Sequence, residues 1–72
     1  MEIKYIIIDY AIPIIFGAQT HKSMQVHGKI TSAGFCKVVD GKIVTYGYSD
    51  SLKMGPHEDD AGILERFLTM PW

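Results

Sequence analysis

Apolar and polar residues alternate most clearly at the start of the chain. Ile3, Tyr5, Ile7 and Asp9 fall on one side of an extended backbone, and Lys4, Ile6, Ile8 and Tyr10 on the other. The run of three isoleucines leaves neither side polar, so a strand over residues 1–10 needs cover on both faces. Residues 11–16, AIPIIF, predict a second strand; Pro13 cannot donate to a ladder, which places it at an edge or a bulge. The polar stretch GAQTHKSMQVHG, residues 17–28, predicts a loop, with Met24 and Val26 anchoring it on the core.

Residues 29–39 and 42–49 predict a hairpin about the Asp40-Gly41 pair, which suits a two-residue type I′ turn because both central positions need positive φ. That turn sets the register. Val39 faces Lys42, Cys36 faces Thr45, Phe35 faces Tyr46, Gly34 faces Gly47 and Ser32 faces Ser49. One face then carries Ile30, Ser32, Cys36, Val38, Ile43 and Thr45, with a notch of bare backbone at the two glycines. The other carries Ala33, Phe35, Lys37, Val44, Tyr46 and Tyr48, an aromatic stripe. A glycine pair is poor in a strand, so the notch calls for a filler.

The stretch GPHEDDAGILERFLTM supplies one. Pro56 suits the first position of a helix, and Glu58, Asp59 and Asp60 match its positive end. Ala61, Ile63, Leu64, Phe67 and Leu68 form an apolar stripe, with Glu65 and Arg66 facing out. Gly62 costs about 1 kcal/mol relative to Ala inside a helix. It predicts a close approach, with the helix crossing the hairpin near Gly34 and Gly47. Residues 1–72 therefore predict one small α+β domain: an antiparallel sheet of about four strands with one C-terminal helix packed on one face.

Composition narrows the setting. Seventy-two residues lie near the lower limit for folding on a single core, and a second copy would add apolar burial. The single cysteine, Cys36, rules out an internal disulfide and suggests a reducing, cytoplasmic location. Seven Lys or Arg against eight Asp or Glu argue against a broad basic field for nucleic acid and against an acidic DNA mimic. The apolar start after Lys4 has the outline of a signal peptide, but Asp9 interrupts it and its β-branched character suits a strand. No run of eighteen apolar residues predicts a membrane helix.

Candidate chemistry is sparse. His21, His27 and His57 match no compact metal-ligand spacing, and HEDD is explained by a helix start, so no metal or cofactor is expected. Cys36 sits mid-strand, where cysteine behaves as a small hydrophobe rather than a nucleophile. Ser32, Ser49, Asp50 and Ser51 gather at the open end of the hairpin; strand-end hydrogen bonding accounts for them, and a hydrolytic or small-ligand site would add His27. No phosphate-binding glycine loop is present. Phe35, Lys37, Tyr46 and Tyr48 outline a base-stacking platform, against the simpler reading that these aromatics are the main core. Trp72, after Pro71, either folds back on the core or anchors a partner. The apolar edge IPIIF could pair with a second chain.

GKITSAGFCKV, then YGYSDSL, then DDAGILERFL, spanning residues 28 to 68, resemble small uncharacterised proteins of phage and prophage genomes. The resemblance implies a compact accessory protein made to bind a host component, and it transfers no functional residue. The first expectation is a non-enzymatic protein-interaction module, homodimeric, meeting a protein partner through His21, Met24, His27 and Trp72 or a strand edge. The second is a nucleic-acid accessory protein using Phe35, Lys37, Tyr46 and Tyr48.

Overall fold

The apolar strand β1 (Ile3–Ile8) lies inside the sheet, between β2 (Ile12–Phe16) and β3 (Ile30–Val39), and β4 (Lys42–Tyr46) closes the order β2-β1-β3-β4. All neighbours are antiparallel. This is a computed structural model that describes residues 3–17 and 20–69, without the side chains of Lys22, Val26, His27 and Thr69. The helix α1 (Asp60–Thr69) packs on one face, giving the expected α+β architecture.

Central placement explains the isoleucine run. Tyr5 and Ile7 pack with Cys36, Ile63 and Leu64 beneath α1. Ile6 and Ile8 pack with Ala33 and Met24 on the opposite face. Both faces of β1 are buried, and Pro13 sits on the edge strand β2, where a missing donor is tolerated.

Several boundaries differ from the sequence reading. The first strand stops at Ile8 because Asp9 and Tyr10 take left-handed φ of 52° and 61°, and the Ala11 N–H donates back to the Ile8 carbonyl at 3.0 Å. The segment read as a loop contains a 3-10 helix, Lys22–His27. Thr20 starts it: its Oγ1 accepts from the Ser23 N–H at 3.2 Å, and its carbonyl accepts from Ser23 Oγ at 2.7 Å.

The β3–β4 register runs as expected from Val39 opposite Lys42 to Phe35 opposite Tyr46, and then fails. Gly47 turns away with φ 79°, and a Cβ there would lie 2.5 Å from Phe35 Cδ1. Gly34 and Gly47 are therefore not a ladder pair. The notch over Gly34 is filled, though not by the helix body: a Cβ on Gly34 would lie 2.9 Å from Pro56 Cγ and 3.0 Å from the Tyr46 carbonyl oxygen. Pro56 is thus a lead-in residue, and α1 begins at Asp60. Gly62 meets nothing within 4 Å, so it marks no close approach.

One further correction concerns Ile30. Pairing of β1 with β3 shifts between Ile7 opposite Ser32 and Ile8 opposite Ile30, leaving Thr31 as an extra, bulged residue. The bulge turns Ile30 onto the face of Ile6 and Ile8. Thr31 Oγ1 fixes it, donating to the Ile7 carbonyl at 3.2 Å and accepting the Tyr10 N–H at 2.9 Å.

Candidate functional site

The most connected polar group is Asp60, only 1% exposed at the start of α1. Its Oδ2 accepts the Tyr5 hydroxyl at 2.6 Å and the His57 backbone N–H at 2.9 Å, and its Oδ1 accepts the Ser32 hydroxyl at 2.9 Å. With the Asp60 N–H donating to the His57 carbonyl at 3.0 Å, the bond to the His57 N–H closes the turn that leads into α1. The other two come from β1 and β3 and tie the helix start to the sheet. Burial first, and then the bond to Asp60, push the Tyr5 hydroxyl far above the ordinary tyrosine range. Every partner of Asp60 is a donor, and among the described residues no buried side-chain polar atom lacks a hydrogen bond. A buried carboxyl held by three donors from three parts of the chain positions elements, tying the start of α1 to β1 and β3.

Of the residues expected to share a hydrolytic site, Ser49 and Ser51 stay together, their hydroxyls 3.5 Å apart, but the expected Ser32–Ser49 pairing is absent. Ser32 is held by Asp60, whereas Ser49 pairs with Met54 across a tight turn instead of facing Ser32. Ser49 is buried there, and its Oγ accepts the Leu52 N–H at 3.3 Å. His27 lies outside the described side chains. Burial pushes the Cys36 thiol up, away from a reactive thiolate.

His21 and Met24, expected at a contact surface, are both buried. His21 Nε2 bonds the Gly34 carbonyl at 2.8 Å, and its ring stands edge-on to Phe16 and Phe35, each centroid 5.4 Å away. Met24 packs with Ile6, Ile8 and Ala33. Both hold the 3-10 helix on the sheet and are withdrawn as contact residues. Trp72 lies outside the described residues. His57 is on the lead-in to α1 with its side chain 52% exposed, its Nδ1 3.6 Å from Asp59 Oδ2. Among the described residues no three His, Cys, Asp or Glu side chains converge as metal ligands, and no helix is long and apolar enough to cross a membrane.

The aromatic stripe is not the main core. Ile6, Ile8, Ala33 and Met24 take that role, and Tyr46 and Tyr48 are 37% and 51% exposed. Phe35 and Tyr46 stack at 5.8 Å with 29° between planes, and Lys37 Nζ lies 5.2 Å from the Tyr46 centroid. Val39 and Val44 are exposed on the same side of the β3–β4 ladder, next to Lys37 and Lys42. This half of the sheet face is uncovered.

Both sheet edges are blunted. Pro13 removes a donor from β2, and Glu65 Oε1 of α1 accepts the Ile43 N–H of β4 at 3.1 Å. No protein-family model, curated protein or solved structure matches the chain.

Proposed function

We propose that this chain is a non-catalytic module that binds a protein on the uncovered half of its sheet. The observation that carries this reading is the cluster of exposed Val39, Val44 and Tyr46 beside Lys37 and Lys42 on the face away from α1. Aliphatic and aromatic surface interleaved with cations suits an apolar partner patch rimmed by carboxylates. Blunted edges make face packing a better route than strand addition. The resemblance to phage and prophage accessory proteins would make the partner a host protein; light scattering decides whether it is instead a second copy.

A nucleic-acid reading draws on Phe35, Lys37, Tyr46 and Tyr48, with Lys37 over the Tyr46 ring. Phe35 already stacks on that ring, however, and Val39 and Val44 beside it offer bases nothing to stack on, which leaves Tyr48 as the exposed ring of that group. Immobilised wild-type chain should capture a partner from host lysate in stoichiometric amount. The double variant Val44→Glu, Tyr46→Glu should keep its circular dichroism and lose the capture. Undiminished capture by the variant would overturn this site. Salt-sensitive binding of a labelled oligothymidylate that disappears in the same variant would move the reading to nucleic acid.

A further inference from the structure

On the other side of the sheet, a cleft of about 280 Å³ opens between the β1–β2 turn and α1, lined by Tyr10, Ala11, Pro13, Ile63, Arg66 and Phe67. A separate, smaller cavity of about 30 Å³ shares the Tyr10 and Ile63 walls and is lined on its other side by His57 and Asp59. Ser32 and Asp60 also line this recess, already satisfied by their mutual bond.

Tyr10 is what makes the cleft unusual. Its φ of 61° suits glycine or asparagine, and a bulky side chain there is a backbone outlier. The surroundings enforce it: the Tyr10 N–H donates to Thr31 Oγ1, the Asp9 N–H to the Lys29 carbonyl at 3.1 Å, and the Ala11 N–H to the Ile8 carbonyl. The ring gains little burial in return, since Tyr10 is 70% exposed. Strain held in place by several hydrogen bonds and spent on an exposed ring at a cleft mouth is a mark of a binding site.

The lining defines the ligand. Ile63, Phe67, Pro13 and the Tyr10 ring offer apolar and aromatic walls, and Arg66 contributes a cation at one end. Asp59 and His57 line the smaller cavity that shares the Tyr10 and Ile63 walls. Arg66 lies six residues beyond Asp60 along α1, about 9 Å of helix axis at 1.5 Å per residue. We infer that the cleft binds a small planar aromatic acid, its ring against Tyr10 and Phe67, its carboxylate toward Arg66, and a hydrogen-bond donor at its far end toward Asp59. This site is separate from the sheet face proposed for protein binding, and neither depends on the other.

The test is an amide chemical-shift titration of the ¹⁵N-labelled chain with 6-hydroxy-2-naphthoate, beside 2-naphthol, which lacks the carboxylate. Saturable shifts centred on residues 10, 11, 63, 66 and 67 are expected, with at least tenfold weaker binding of 2-naphthol. Arg66→Gln should reduce naphthoate affinity to the 2-naphthol level. Tyr10→Gly and Tyr10→Asn, both at ease with positive φ, should keep or raise the melting temperature while weakening naphthoate at least tenfold. Val44→Glu with Tyr46→Glu should leave it unchanged. Absent or unsaturable shifts, shifts centred elsewhere, or naphthoate affinity unmoved by the Tyr10 and Arg66 variants would each overturn the site.

Discussion

The turn at Asp9 and Tyr10 and the turn at Asp40 and Gly41 carry the same left-handed backbone, with φ of 52° and 61° in one and 52° and 77° in the other. In the second, glycine takes that geometry at little cost, and a side chain at Gly41 would meet nothing within 4 Å. Its shape is written into two residues. The first turn has no such residue and is held from outside, by Thr31 and Lys29 at the far end of β3. One hairpin therefore specifies itself, while the other is imposed by the sheet it belongs to.

The most damaging way to probe this contrast is Gly34→Val, which attacks the second hairpin where its local turn chemistry no longer reaches. Pro56 and the Tyr46 carbonyl leave no room for the side chain. A loss of about 2–3 kcal/mol in urea denaturation is expected for such overpacking; an unchanged midpoint would mean that the Pro56 lead-in moves aside freely. Thr31→Val, which removes both hydrogen bonds of the bulge, should cost about 1.5 kcal/mol. Hydrogen exchange should then quicken around residues 8–12 and leave residues 38–43 untouched.

Alkaline pH separates the hairpins without mutation, because β1 alone carries Tyr5. Its hydroxyl titrates higher in the folded chain than in the unfolded one, so the stabilisation is intact below about pH 10, the ordinary tyrosine value, and is lost as pH rises above it. Urea stability should fall by about 1.4 kcal/mol per pH unit from this group. Tyr5→Phe, though less stable at neutral pH, should show a shallower alkaline slope; equal slopes would assign the effect to other groups. Copying the first turn into the second with Gly41→Tyr should cost about 1 kcal/mol, all of it conformational. The smallest change runs the other way. Tyr10→Gly relieves the strained backbone but adds unfolded-state entropy, for a net gain of about 0.5 kcal/mol by thermal denaturation.

The same contrast explains what could be read from the chain. The β3–β4 register was legible because Asp-Gly fixes it locally, and it held until Gly47, whose left-handed conformation answers to Phe35 rather than to its neighbours. The Thr31 bulge was not legible, since the extra residue is required by bonds to Ile7 and Tyr10, more than twenty positions away. Thr20, three residues before Ser23, is a helix-start signal that could have identified the 3-10 helix. In the sequence Asp60 is one of three acids at a helix start, and nothing nearby marks it apart from Asp59; Tyr5 and Ser32 do that, and only in the folded chain. For the same reason burial removed His21 and Met24 from the expected contact surface while leaving Tyr46 and Tyr48 on view. Strand alternation gives the face of a residue but not what covers it.

The Tyr5–Asp60 bond also bears on how the chain is made. It joins residues 55 positions apart, and β1 stands in the middle of the sheet. At about 5–20 residues per second, a ribosome delivers Asp60 roughly 3–11 s after Tyr5. Throughout that interval the isoleucines of β1 have no helix over them, and β3 has yet to arrive for much of it. During synthesis the central strand β1 therefore precedes the helix that covers it by that whole interval.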